Sequence, residues 1–243
     1  FDTTKHIIPN AVVAVPHPSV TVARKCTPFK IEFVVRGYLT GTTSTSIWVH
    51  YQAGVRKYCG HALPDGMKKN ERLPSVICTP TTKDDLHDRP ISGEEIVREG
   101  WMSAEDWAYT EGKAIELFKH GQAVAASRGL ILVDTKYEFG LDRSGGLWVM
   151  DEIHTPDSSR YWRVLADGTH VPLDKEFLRQ WLIAQGWMGH GPPPAIPPIV
   201  LVELAERYLE LFRELEGVEP ALVPGDVAAR LDRNLARLRP AAG

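Results

Sequence analysis

Asp134, Lys136 and Glu138 alternate with Val133, Thr135, Tyr137 and Phe139 in the stretch VDTKYEFG. A strand repeats every two residues, so this spacing puts the three charged side chains on one sheet face. A second strand, GLWVMDEI, follows across Asp142-Arg143-Ser144-Gly145-Gly146, which is hairpin-turn composition. With the turn centred between Ser144 and Gly145 and no bulge, Glu138 is expected opposite Asp151. Two carboxylates so placed repel unless a cation lies between them. Oxygen-only ligands suit Mg2+, which takes one or two carboxylates together with substrate phosphates and water. Lys136 stands beside them to neutralise phosphate charge. The same spacing also describes a solvated hairpin face with compensating charges.

Three more segments carry candidate chemistry. Thr155-Pro156-Asp157-Ser158-Ser159-Arg160 is a turn dense in hydroxyls that ends in a guanidinium. It can hold a phosphate or carboxylate through backbone N–H groups and a bidentate Arg, or it is an Asp/Ser-stabilised turn with Arg160 in solvent. In VVRGYLTGTT, Arg36 ends an apolar strand and Gly41-Thr42 lets a phosphate approach the backbone, unless the segment is a plain linker. TPTTKDDLHD offers Lys83, His87 and Asp88 for acid/base or metal work, or a capped turn. His-x-x-x-His, G-x-S-x-G, G-x-G-x-x-G and Walker A patterns are absent from the sequence.

Composition narrows the classes. The 243 residues are 43% hydrophobic and 24% charged, ordinary for a globular chain, with a net charge of -3. No global basic field exists to hold a nucleic-acid backbone. The longest apolar runs, such as GLILV from Gly129, fall far short of the ~20 residues a membrane-spanning helix needs. Cys26, Cys59 and Cys78 form no Cys-x-x-Cys pair, which argues against a disulfide framework or a zinc site. A reducing compartment is expected, the cytoplasm. The sequence is compatible with a homo-oligomer.

The elements that position these residues read as α+β. Val20 to Tyr38 is β-rich, and residues 60–92 look like a long ordered loop. Ser92 and Ser103 each stand three residues before an acid and cap helices, the second running to Gly129. Asp174 caps KEFLRQWLIAQ. After the GPPPAIPP linker, Leu201, Leu204, Tyr208, Leu211 and Leu215 form a stripe expected to be core, and a weaker amphipathic helix closes the chain from Asp226.

Taken in order, VVRGYLTG, LPSVICTPTTKDDLHD, LILVDTKYEFG, DEIHTPDSSRYW and DKEFLRQW resemble the phosphoribosylaminoimidazole-succinocarboxamide synthase (SAICAR synthetase) family of purine biosynthesis. The wording of GYLTGTTSTSIW and HTPDSSRYW is closest to its plant-like branch, and the resemblance runs from about Ile7 to about Leu215. It implies an α+β fold of kinase-like, two-subdomain architecture. Residues 1–35 correspond to the remainder of an N-terminal β-rich ATP-binding subdomain, 36–217 to the catalytic domain, and 218–243 to a variable tail. Relatives begin with strands and a glycine- and lysine-bearing loop over the ATP phosphates. FDTTKHIIPN stands past that region, so the resemblance implies an N-terminally incomplete chain.

The implied reaction joins L-aspartate to the carboxylate of carboxyaminoimidazole ribonucleotide (CAIR), consuming ATP with Mg2+. Carried over by position, Glu138 and Asp151 resemble the Mg2+–ATP carboxylates. Lys136 resembles the cation at the transferring phosphoryl group, and Asp134 the group that orients it. Arg36, Thr42, Arg160 and Arg179 match the grip on the ribonucleotide, Thr42 standing where many relatives carry serine. Asp88 and Asp157 match positions near the imidazole, Asp88 with a part in the chemistry, and Lys83 lies in the loop that accepts aspartate. Arg24, Lys25 and Pro28 resemble the strand and hinge against which adenine packs. Two rivals stand beside this reading. One is a non-catalytic ribonucleotide-binding remnant. The other is a kinase-like phosphotransferase, for which H-R-D and D-F-G strings are lacking.

Overall fold

The structure, a computed structural model, describes residues 1–83, 88–189, 191–221 and 223–238. The chain opens with β1 (Val12–His17), β2 (Val20–Ala23), β3 (Thr27–Pro28) and β4 (Ile31–Leu39). Next come α1 (Ile47–Gln52), β5 (Lys57–Tyr58), β6 (His61–Ala62), β7 (Glu71–Cys78), β8 (Thr81–Thr82), α2 (Gly93–Arg98) and α3 (Ala104–Ser127). The hairpin is β9 (Leu130–Leu141) and β10 (Leu147–Met150), followed by β11 (Ser159–Val164), β12 (His170–Pro172), α4 (Glu176–Ala184), α5 (Pro198–Glu216) and α6 (Val227–Ala236).

This is an α+β fold. The main sheet runs β12–β11–β9–β4–β7, with β10 and β3 also paired to β9 and β8 to β4. Every pairing among these strands is antiparallel. The two-residue period of β9 sets its two faces. Val133, Thr135, Tyr137 and Phe139 are buried on the side where α3 packs. Phe33 of β4 joins them, stacked on Trp107 at 5.4 Å and edge-on to Phe139 at 4.8 Å. Asp134, Lys136 and Glu138 take the opposite face, as expected.

One feature of β9 matters most for the site. Residues 130–135 pair with β11, whereas residues 138–141 pair with β10. The strand changes partner at Lys136, and the connection 151–158 leaves the sheet there. The Lys136 N–H donates to the Ser158 carbonyl at 3.0 Å across the gap.

The helix signals hold at their caps. Ser92 and Glu95 close a full capping box on α2, and the Ser103 hydroxyl accepts the Asp106 N–H on α3. Other expectations need correction. Residues 60–92 contain the strand β7, which the sequence hides because Pro74 interrupts it; proline is tolerated because β7 lies at the sheet edge. The helix α1 follows GTTSTS and is too short to show a period. Leu211 is buried as expected of the α5 stripe, but Leu201 is 48% exposed, and its neighbour Val200 is buried in its place. His87, of the expected His–Asp pair, lies outside the described residues.

Candidate active site

β4 and β9 run side by side with Val34 opposite Lys136 and Arg36 opposite Asp134. Glu32, Val34 and Arg36 therefore share the face that carries Asp134, Lys136 and Glu138. Two polar clusters form on it.

The first centres on Lys136. Its Nζ donates to Glu138 Oε1 at 2.7 Å and to Asp151 Oδ2 at 2.8 Å. Lys83 Nζ donates to the same Glu138 oxygen at 2.5 Å, and Glu32 lies 3.6 Å from Lys83 and 3.8 Å from Lys136. Burial works against charge on both central groups, but the ion pairs outweigh it. Glu138 is held below the usual carboxylate range by Lys136 and Lys83, and Lys136 above the usual lysine range by Asp151 and Glu138. Both are charged at neutral pH.

The hairpin register differs from expectation by one residue. Leu141 pairs with Leu147, so Met150 rather than Asp151 stands opposite Glu138. A straight continuation puts Asp151 opposite Tyr137, on the wrong face. Instead Asp151 adopts a left-handed φ of 65°, which turns its carboxylate back onto Lys136. A non-glycine residue in that region costs about 1–3 kcal/mol and persists where its surroundings enforce it.

The second cluster is a chain of alternating charge. Arg36 pairs with Asp134 at 3.2 Å and donates through Nε to Thr79 Oγ1 at 2.8 Å. Arg160 bonds the same Asp134 oxygen and reaches Glu176 at 3.3 Å; Arg179 pairs with Glu176 as well. Thr42 Oγ1 donates to Glu176 Oε1 at 3.2 Å. Three guanidiniums thus share two carboxylates. Asp134, expected to orient the reacting group, is held by Arg36 and Arg160 rather than by Lys136.

Asp174 lies beneath this chain, accepting the N–H groups of Tyr161 and Glu176, each at 2.8 Å. Burial pushes its carboxyl up to about 6, against the pull of Arg160. A folded value above the unfolded one means that the native state binds the extra proton between about pH 4 and 6. Stability from this group is therefore greatest below that window and declines as pH rises through it. Asp174→Asn is expected to remove this slope, worth at most about 3 kcal/mol across two pH units. Urea midpoints of both proteins from pH 4 to 7 provide the check; parallel curves defeat the assignment.

A cavity of about 370 Å3 opens onto both clusters. Arg36, Asp134, Lys136, Asp157, Arg160 and Arg179 of the expected set line it. A larger hollow of about 580 Å3, which Thr42 also lines, adjoins it at Thr43, Lys175 and Arg179, but its remaining wall is mostly apolar and bears no carboxylate. Glu138, Asp151 and Lys83 stand beside the cavity through their bonds to one another and to Lys136. Asp157 is exposed and pairs with Lys175 at 3.3 Å. The hydroxyls of its turn are spent internally, since Thr155 bonds Glu152 and Ser158, and Ser159 bonds Thr135. Arg24, Lys25, Pro28 and Asp88 are exposed and outside the cavity wall. Arg24 pairs with Asp142 at 3.3 Å and lies over the Trp148 ring at 4.3 Å, while Pro28 pairs with Gly140 at the far end of the hairpin.

Sequence reading missed Glu32, Asp174, Lys175 and Glu176. Glu32 was within reach, because it keeps the two-residue period of Val34 and Arg36. Glu176 was not, since an acid in a helix first turn is ordinary and its partners lie far away in the chain.

The chain has named relatives among known proteins. The sequence profile described as SAICAR synthetase matches residues 1–193. A phosphoribosylaminoimidazole-succinocarboxamide synthase of Legionella pneumophila is 50% identical over 98% of this chain and 79% of its own length. The chain belongs to the SAICAR synthetase family. A chloroplastic member from Arabidopsis thaliana is 46% identical, covering 96% of this chain and 59% of that protein. The SAICAR synthase structure from Saccharomyces cerevisiae, described as complexed with SAICAR, superposes with a TM-score of 0.74 at 26% identity, over 91% of this chain and 79% of that one. As a SAICAR synthetase, the chain is an ATP-dependent carbon–nitrogen ligase of purine biosynthesis that joins L-aspartate to CAIR. Its substrates are small molecules. No helix among the described residues is long and apolar enough to cross a membrane.

Proposed function

We propose that the two clusters are the two halves of the ligase site, with the Lys136 cluster serving ATP and the arginine chain serving the ribonucleotide. The observation that carries this is their common face: one pair of strands, β4 and β9, holds both beside a single cavity. Glu138 and Asp151 offer two hard carboxylate oxygen donors that already converge on the Lys136 ammonium, which fits Mg2+ with its remaining ligands from phosphate and water. When bound there, Mg2+ supplies charge neutralisation for the ATP phosphates.

A carboxylate is a poor electrophile. In the reaction the CAIR carboxylate oxygen takes the γ-phosphoryl group and ADP leaves. The aspartate amine then attacks the acyl carbon, loses a proton, and phosphate departs. Such transfers need alignment and charge more than a protein nucleophile. Lys136 meets the transferring phosphoryl group. Arg179 and Lys175, the more accessible cations of the second half, take the ribonucleotide phosphate, and Arg36 and Arg160 brace the site from beneath. Thr42 fixes Glu176 under Arg179. Lys83, held on Glu138, meets the aspartate carboxylate, with Asp88 and Asp157 toward the imidazole. Arg24, Lys25 and Pro28 form the edge where adenine packs. Residues 1–35 are the remainder of the ATP-binding subdomain and 36–217, the hairpin included, the catalytic domain, β4 running through both, with 218–243 as a tail.

Asp151→Asn is expected to abolish product formation while leaving ribonucleotide affinity within about twofold, because Asp151 touches only the first cluster. Product assays and calorimetry with each substrate test it. Equal loss of both affinities speaks for a folding defect and against two half-sites.

A further inference from the structure

We infer that His154 is a positioning residue that holds the two half-sites in register through the segment 151–158. This rests on the half-site reading above. The segment carries Asp151 at one end and leads into Arg160 at the other, and it leaves the sheet where β9 changes partner, so no strand ladder fixes it. His154 sits in its middle with a left-handed φ of 57°. Its Nε2 and Tyr137 Oη share a hydrogen bond of 2.6 Å, and its carbonyl accepts the Tyr161 hydroxyl at 2.9 Å. Tyr137 lies between Lys136 and Glu138 in the chain, and Tyr161 follows Arg160. Each tyrosine therefore ties His154 to the strand that bears one cluster.

The third side is closed by α3. A Cβ on Gly121 falls 2.8 Å from both Nδ1 and Nε2 of the His154 ring, so only glycine leaves room for the imidazole. Burial, helped by nearby His120, pushes the imidazole down to about 3, so the ring stays neutral and the bond to Tyr137 persists across the working range. Pinned at its ring and at its carbonyl, His154 determines where Asp151 and Arg160 stand relative to each other.

The test compares His154→Asn, Gly121→Ala and the double variant. Asparagine tolerates a left-handed φ but lacks the ring. Affinities for ATP and for the ribonucleotide are measured by calorimetry, with steady-state kcat and the melting temperature. His154→Asn is expected to weaken both affinities together by about tenfold and to lower kcat further, as misplacement of about 1 Å does. Gly121→Ala, which acts by pushing the ring, is expected to do the same. In the His154→Asn background it adds little, because the group it displaces is gone. A folded His154→Asn protein with either affinity unchanged overturns the inference, as does full additivity of the two substitutions. Should His154→Asn not fold, Tyr161→Phe removes one hydroxyl and is expected to weaken both affinities about threefold, the scale of one neutral hydrogen bond; no change in either overturns the inference equally. Asp151→Asn and Arg179→Ala run alongside, each expected to weaken one affinity alone. If they fail to separate the two, the half-site assignment is at fault rather than His154.

Discussion

Lys136→Met is expected to lower the rate of product formation by about 100- to 1,000-fold, the usual cost of removing one preorganised charge from a transferring group. The ammonium has two tasks. It is the only cation bonded to both Glu138 and Asp151 among the described residues, and it lines the cavity toward the arginine chain. Methionine keeps the stem and removes the charge, so the two carboxylates lose their common partner while the strand stays packed. Lys136→Arg is not expected to restore the rate, because the larger planar guanidinium spreads its charge and cannot occupy the place of the compact ammonium that Glu138 and Asp151 both grip. Single-turnover product formation at matched folded fraction is the measurement. A rate within about threefold of the wild type, well short of the effect of one lost donor, removes Lys136 from the chemistry.

Arg160→Ala is expected to strike stability as well as binding. Its guanidinium is 12% exposed and stands between Asp134 and Glu176, whose side chains are 11% and 6% exposed. Breaking a buried pair from one side leaves a desolvated charge, at a cost of about 3–5 kcal/mol. Arg36 and Arg179 still attend the two carboxylates, so the lower end of that range is expected. Ribonucleotide affinity is expected to fall by at least about tenfold, with ATP affinity little changed in the folded fraction. Arg160→Lys is expected to recover little, since lysine lacks the planar fork whose two nitrogens meet Asp134 and Glu176 separately. Urea unfolding and calorimetry decide it: a stable Arg160→Ala protein with native ribonucleotide affinity contradicts the network's role.

Much of the site was legible because β9 is regular. A two-residue period placed Asp134, Lys136 and Glu138 on one face, and five strings in series pointed to the family before any coordinates. What escaped reading were features set by tertiary contact. Asp151 reaches Lys136 only through a left-handed backbone, which no alternation pattern encodes. Glu176 owes its importance to Arg160, Arg179 and Thr42 converging from three separate segments. The strand β7 was lost to Pro74, which reads as a loop unless its edge position is known.

The pairing of β4 with β9 also bears on how the protein folds. Arg36 and Asp134 are 98 positions apart in the chain, and the arginine chain does not exist until those strands meet. Closing so long a loop precedes any reward from the contacts it brings, and topologies built on such pairings form in milliseconds to seconds rather than microseconds. The hairpin β9–β10 forms early and locally, yet it brings Lys136 and Glu138 of the first cluster and only Asp134 of the second. Binding competence in refolding should therefore appear late and in step with the whole sheet, and a chain arrested before β4 docks presents Asp134 and Glu138 to solvent as ordinary surface acids.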